Sequence, residues 1–159
     1  MHHKAKPLPK QHHSLTPVLS IRNADQALEF YKKALDAKEL NRLDGPDGKL
    51  AHAELKIGDS ILMLGEECPK MGCLSPTALG GTAVTLYLYV EDVDASFAKA
   101  LSAGALQKQP VEDMFWGDRC GTLTDPFGHV WTLATHQKDL TPKQIAEAAE
   151  KAFTQTARA

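Results

Sequence analysis

Leu19-Ser-Ile-Arg-Asn-Ala-Asp25 returns as Leu88-Tyr-Val-Glu-Asp-Val-Asp94, 69 positions later. Ala34-Leu-Asp-Ala-Lys-Glu-Leu40 returns as Ala100-Leu-Ser-Ala-Gly-Ala-Leu106 after 66 positions, and Gly58-Asp-Ser-Ile-Leu-Met63 as Gly128-His-Val-Trp-Thr-Leu133 after 70. Three matches in one order at nearly one offset define an internal repeat. The shorter second offset gives the first helix about one extra turn.

Each copy has the same grammar. A strand, about Thr16–Ile21 or Thr85–Val90, leads into a helix opening near Asp25 or Asp94, where a carboxylate meets the positive end of the helix dipole. Ala27, Leu28, Tyr31 and Leu35 recur at helical spacing in the first helix, and Phe97, Ala100 and Leu101 in the second. A strand, a turn and a hairpin follow. The hairpins are Ala51–Ile57 with Ser60–Leu64 around Gly58-Asp59, and Gly121–Thr124 with Val130–Ala134 around Asp125-Pro-Phe-Gly128. The expected unit is β-α-β-β-β used twice, module one at about 14–66 and module two at about 82–136, with a linker at 67–81.

The flanks are less regular. Residues 1–13, with Pro7, Pro9 and the pairs His2-His3 and His12-His13, lack apolar periodicity and read as a flexible tail that gives a metal no fixed geometry. His2-His3 is equally readable as a cloning remnant. Residues 137–159 read as a helical extension: Thr141-Pro-Lys-Gln144 forms a capping box, and Ile145, Ala148, Ala149, Ala152 and Phe153 make one apolar stripe. That stripe suits either the chain's own sheet or a second subunit.

Composition fits a globular domain. Of 159 residues, 43% are hydrophobic and 24% charged. Modules of about 60 residues bury too little surface to be secure alone, which favours their fusion. With 18 Lys and Arg against 20 Asp and Glu, the formal charge of -2 offers nothing to a phosphate backbone, so nucleic acid is not an expected partner. No run approaches the ~20 apolar residues of a spanning helix, and the first residues lack the apolar region of a signal peptide. The expectation is a cytoplasmic protein without a membrane partner, its three cysteines reduced.

Two such modules resemble the vicinal oxygen chelate superfamily, the glyoxalase and bleomycin-resistance group. The resemblance covers about Leu15 to His136 and is carried by Leu28-Glu-Phe-Tyr-Lys-Lys-Ala-Leu35, His52-Ala-Glu-Leu-Lys-Ile-Gly58, Phe115-Trp-Gly-Asp-Arg119 and Thr124-Asp-Pro-Phe-Gly-His-Val-Trp131. These stretches are similar, more narrowly, to the PhnB-like branch. The resemblance implies an α+β fold: a curved eight-stranded mixed sheet around a cup, helices outside, often as a homodimer. The helix at the C-terminus adds to it.

Residue alternation assigns the two faces of each strand. Leu19, Ile21, Ala53, Leu55, Leu86, Leu88, Leu123, Trp131 and Leu133 fit the helix layer. His52, Glu54, Thr85, Tyr87, Tyr89, Thr122 and Thr132 then face the cup. On the strand Ser60–Leu64, Ile61 and Met63 are assigned outward, Leu62 and Leu64 inward. Metal-dependent members hold one divalent ion with His, Gln or Glu from the first and last strands of the modules. Those places fall on Thr16, Leu62, Thr85 and Thr132, none an adequate ligand, which argues against glyoxalase or dioxygenase chemistry.

Without a metal, the resemblance implies sequestration of a small, partly aromatic molecule, as in antibiotic resistance. Tyr87, Tyr89, Phe115 and Trp116 are the candidate stacking rings, and Asp118, Arg119, His52 and Glu54 the candidate polar contacts. Two alternatives stand beside this. His52 and Glu54, two apart on one strand face, suit an acid–base pair or a displaced metal site of a lyase or isomerase; a dimeric scaffold would need the cup filled by Tyr87, Tyr89 and Leu62. His129 and His136 are expected at the surface. Cys120 is expected as a small buried hydrophobe, the competing reading being a thiolate beside Arg119.

Overall fold

The computed structural model describes residues 6–156, so the expectations for His2-His3 and for the last three residues lie outside it. Two compact units divide the chain, Met1–Thr82 and Ala83–Ala159. Unit one runs β1 (Val18–Ile21), α1 (Ala24–Leu35), β2 (Lys38–Asp44), β3 (Leu50–Ile57) and β4 (Ser60–Glu66), followed by a 3-10 turn (Pro69–Met71) and a short helix α2 (Pro76–Leu79). Unit two runs β5 (Thr85–Tyr89), α3 (Val93–Ser102), β6 (Leu106–Asp113), β7 (Asp118–Thr124), β8 (Val130–His136) and α4 (Pro142–Thr156). The eight strands fall four to each unit, in the orders β1-β4-β3-β2 and β5-β8-β7-β6. β1 and β5 lie parallel to β4 and β8, and the other neighbours are antiparallel. Both sheets are therefore mixed, and both units have the expected β-α-β-β-β order.

One face of each sheet is sealed by its helix. Ala27, Leu28, Tyr31 and Ala34 of α1 are buried together with Leu19, Ile21, Ala53, Leu55 and Leu64 of the sheet beneath. In unit two, Val93, Phe97 and Ala100 of α3 are buried with Leu123, Trp131 and Leu133. Gly121 makes this packing possible, since a Cβ there would stand 2.9 Å from the Phe97 ring and 2.8 Å from Val111. Buried Asp125 accepts bonds from the amides of Phe127 (2.9 Å) and His129 (3.0 Å) and from the Trp131 indole (3.0 Å), which fixes the second hairpin and its tryptophan.

The helices open one residue before Asp25 and Asp94, at Ala24 and Val93. Asn23 and Asp92 are the caps, and only Asp92 uses its side chain, accepting from Ala95 N at 3.0 Å. The first helical amide is satisfied from the far end of the module instead. Ala24 N donates to Glu66 Oε2 at 2.8 Å, and Val93 N to Thr135 Oγ1 at 2.9 Å. Asp25 and Asp94, in the first turn, hold Arg42 at 2.6 Å and Arg119 at 2.8 Å.

β4 corrects the sequence reading. Leu64 lies beside Leu19 and Ala53, and Leu62 opposite Leu55, so both are on the helix side. Met63 pairs with Val18 and Glu54 on the other face. The first hairpin turns on Gly58-Asp59 between the paired Ile57 and Ser60. The second needs three residues, Pro126 to Gly128, because Asp125 N still donates to His129 O at 2.9 Å. Matching Gly58 with Gly128 set the start of one turn against the end of the other, and a slip of one residue reverses every face.

The C-terminal capping box is present. Thr141 N donates to Gln144 Oε1 at 2.9 Å and Gln144 N to Thr141 Oγ1 at 3.3 Å. Within the described part of the N-terminal segment, His12 Nδ1 lies 3.1 Å from Lys10 O, and Lys56 Nζ donates to Gln11 Oε1 at 3.4 Å.

Candidate functional site

On the face of unit two opposite α3, alternation aligns Tyr87 and Tyr89 of β5 with Thr132 and Ala134 of β8, and these with Thr122 and Cys120 of β7. The next pair along the ladder is Asp118 with His136. Asp118 is 3% exposed, yet its carboxylate is the hub of this face. Tyr87 and Tyr89 donate their hydroxyls to Asp118 Oδ2 at 2.9 and 3.0 Å, and His136 Nδ1 lies 2.7 Å from Oδ1. Trp116 also favours the charged form of the same carboxylate. A buried charge is tolerated only with such partners.

The ionisation states follow from the contacts. Burial works to raise the Asp118 carboxyl, but the hydrogen bonds from His136, Tyr87 and Tyr89, together with Trp116, outweigh it and hold it below the usual carboxylate range. Burial first, then the bond to Asp118, pushes the Tyr87 phenol up; for Tyr89 the Asp118 bond comes first. His136 has a second carboxylate, Asp139 Oδ1, 2.9 Å from Nε2. Bonds to Asp118 and Asp139 raise its pKa, as expected of an imidazolium donating from both nitrogens. Burial raises the Cys120 thiol, and Arg119 does not lower it.

The rings are carried by a tight loop. Met114 N donates to Asp118 O at 2.7 Å, Gly117 N to Met114 O at 3.1 Å, and the amides of Gln137 and Lys138 both to Gly117 O at 3.0 Å. Gly117 has φ 101°, and a Cβ on it would come within 2.3 Å of the Lys138 carbonyl, so no other residue fits without displacement. Phe115 packs edge-on to Trp116 with ring centroids 4.9 Å apart, and to Phe153 of α4 at 5.7 Å. Tyr87 and Tyr89, with centroids 5.2 Å apart, remain 45% and 60% exposed. Their ring surface is open for contact.

Of the residues named from sequence, Tyr87, Tyr89, Trp116 and Asp118 come together here, with Phe115 behind Trp116. Arg119 does not join them. It points to the helix side, bonded to both Asp94 oxygens at 2.8 Å and to Asp113 at 3.0 Å. His136 is exposed, as expected, but belongs to the cluster, whereas His129, expected at the surface, is buried. In unit one, His52 Nε2 lies 3.8 Å from Glu54 Oε1, and His12 Nε2 lies at the same distance from that oxygen. His12 escaped sequence reasoning because its segment has no periodicity from which to infer a docking face.

Two β-α-β-β-β units, the second with a polar, ring-lined face, define a class of fold. The model of the Glyoxalase/Bleomycin resistance protein/Dioxygenase superfamily matches residues 11–133, and the chain belongs to that superfamily. An uncharacterized protein of Mycobacterium bovis is 46% identical over 138 residues, 85% of this chain and 91% of its own. The crystal structure of TioX from Micromonospora sp. ML1 is similar with a TM-score of 0.63 and 28% identity, covering 78% of this chain and 98% of TioX. The PhnB protein of Bacillus cereus shares the fold with a TM-score of 0.60 at 19% identity, over 77% of this chain and 99% of its own.

The residues at the positions that the resemblance assigns to a metal are poor ligands. The strand register replaces Leu62 by Met63 as the counterpart of Thr132, and a thioether is a poor ligand for the divalent ions in question. Thr132 Oγ1 is 2.9 Å from Thr122 Oγ1 and engaged there. Among the described residues no three or more His, Cys, Asp or Glu are grouped so as to hold a metal ion. No described helix is long and apolar enough to cross a membrane.

Proposed function

We propose that this chain binds and sequesters a small, partly aromatic molecule on the Tyr87–Tyr89–Trp116 face of unit two, without the divalent ion of metal-dependent relatives. The observation that carries the reading is the buried Asp118 carboxylate accepting hydrogen bonds from both tyrosine hydroxyls. Tyr87 and Tyr89 stay 45% and 60% exposed, and a phenol oxygen that donates can still accept, so the pair offers stacking surface together with hydrogen-bonding capacity. The matching ligand is planar and brings N–H or O–H donors, an amine or amide above all. The negative excess of Asp118 and Asp139 over a single His136 charge favours a cation. A homodimer in the cytoplasm is part of the proposal; light scattering on the purified chain checks the dimer.

Bleomycin and tryptamine, added separately while tryptophan fluorescence is followed, test the reading. At least one is expected to quench saturably, with binding lost in Asp118→Asn and Trp116→Leu and kept in His52→Ala. No saturable change with either probe, or stoichiometric Zn, Ni, Mn or Fe retained by purified protein, overturns it.

A metal-dependent lyase or isomerase centred on His52 and Glu54 is the second reading, and the approach of His12 to Glu54 is what favours it. Replacing His52 and Glu54 together by alanine discriminates. If metal content and turnover of a methylglyoxal–glutathione adduct stay unchanged, that reading fails.

A further inference from the structure

The segment between the modules holds two thiols on a backbone that sets them opposite each other. Cys68 N donates to the Cys73 carbonyl at 2.8 Å and Cys73 N to the Cys68 carbonyl at 3.1 Å, making an isolated antiparallel bridge. A pair that exchanges both bonds has Cα atoms about 5.5 Å apart and side chains on one face. That lies inside the roughly 4.4–6.8 Å span of a disulfide. The intervening turn closes on itself through Met71 N to Cys68 O (2.9 Å) and Gly72 N to Pro69 O (3.0 Å), with Gly72 at φ 75°.

Both flanks are tied to one carboxylate. Glu67 Oε1 is 2.6 Å from Arg22 Nε, Glu67 Oε2 accepts from Ser75 N at 3.1 Å, and Glu67 N donates to Ile21 O at 2.9 Å. Holding Glu67 and Ser75 holds the two cysteines between them. Both thiols are free; Cys73 is exposed and Cys68 half-buried, while Cys120 is buried in unit two.

We propose that Cys68 and Cys73 form a thiol–disulfide exchange site for low-molecular-weight disulfides of the glutathione type. The exposed Cys73 thiolate attacks one sulfur of RSSR, forming Cys73–S–SR and expelling RS⁻. The Cys68 thiolate then attacks the Cys73 sulfur, expels the second RS⁻ and leaves the Cys68–Cys73 bond. The two protein thiols lose two electrons, RSSR gains them, and the two protons end on two RSH. The backbone bridge keeps the resolving thiol in place, so the mixed disulfide is short-lived. In a reducing compartment the pair rests as a dithiol and closes when the thiol pool is oxidised.

The test treats the full reduced chain with glutathione disulfide, traps remaining thiols by alkylation and reads the products by mass spectrometry. The expected product is monomeric on a non-reducing gel and lighter by two hydrogens, with Cys68 joined to Cys73 and Cys120 alkylated only after unfolding. Cys68→Ser is expected to accumulate the glutathione adduct on Cys73 at least about tenfold above wild type, because the internal attack has been removed. Three results overturn the proposal: wild type retaining glutathione on Cys73 as fully as Cys68→Ser, chains linked through Cys73, or a bond to Cys120.

Discussion

Module one and module two share a backbone plan and differ in what they place on the face away from the helix. In module one that face carries Val18, Met63, His52 and Glu54, with two histidines each 3.8 Å from one carboxylate oxygen. In module two the matching positions of β5 and β8 are Tyr87 and Thr132, and the polar groups converge on one buried carboxylate. The helix sides differ far less, since Leu19 with Leu64 answers to Leu88 with Leu133. Packing under a helix constrains volume and polarity at every position; an open sheet face is free to specialise.

The largest effect expected from probing this contrast lies on β4. Leu62→Asp puts a charge under α1 and is expected to cost about 3 kcal/mol or more, whereas Met63→Asp, on the open face, is expected to cost under ~1 kcal/mol. Urea unfolding of the two variants decides it; equal losses would return Met63 to the core.

Next comes the β6–β7 loop, whose counterpart in module one closes in the same way, Gly45 N to Lys49 O at 2.8 Å and Gly48 N to Gly45 O at 2.9 Å, but carries no aromatic ring. Gly117→Ala forces a Cβ against the Lys138 carbonyl and is expected to cost about 1–3 kcal/mol. The same change should shift the Trp116 emission and weaken ligand binding, while Gly48→Ala, where the added Cβ meets nothing within 4 Å, should leave both unchanged.

The smallest effect is electrostatic. Because the two carboxylates raise the folded pKa of His136 above 6.5, its contribution is fully present below that value and is lost as pH rises through the raised one. Asp118 acts in the opposite sense. Its folded pKa lies below 3.8, so its contribution is present above that value and lost as pH falls through the lowered one. Thermal unfolding across neutral to alkaline pH should show a shallow decline in wild type that disappears in His136→Ala.

The architecture was legible because the repeat and the helical periodicities of Leu28, Tyr31 and Leu35 or Phe97 and Ala100 leave one arrangement that buries them all. Alternation also put Tyr87 and Tyr89 on the face where they are found, whereas Asp118 was named only as a neighbour of Trp116. On β4 it gave the wrong face, because Ile61, Leu62, Met63 and Leu64 are all apolar and either face satisfies the pattern. Arg119 was grouped with Asp118 by adjacency, although neighbours on a strand point opposite ways. His136 was missed because β8 was ended at Ala134; extending the ladder to pair Asp118 with His136 would have found it. His12 had no such route, since nothing periodic surrounds it.

The oxygen that closes the first turn of each helix comes from 42 residues further on, Glu66 for Ala24 and Thr135 for Val93. Each module is thus latched by its last strand. As the chain is synthesised, α1 can form its middle turns early, but its opening amide stays with water until Glu66 arrives. A contact of that span carries a loop-closure cost, so its formation marks the completion of a module rather than its beginning. Although one latch is a carboxylate and the other a hydroxyl, both halves of the protein keep the same timetable.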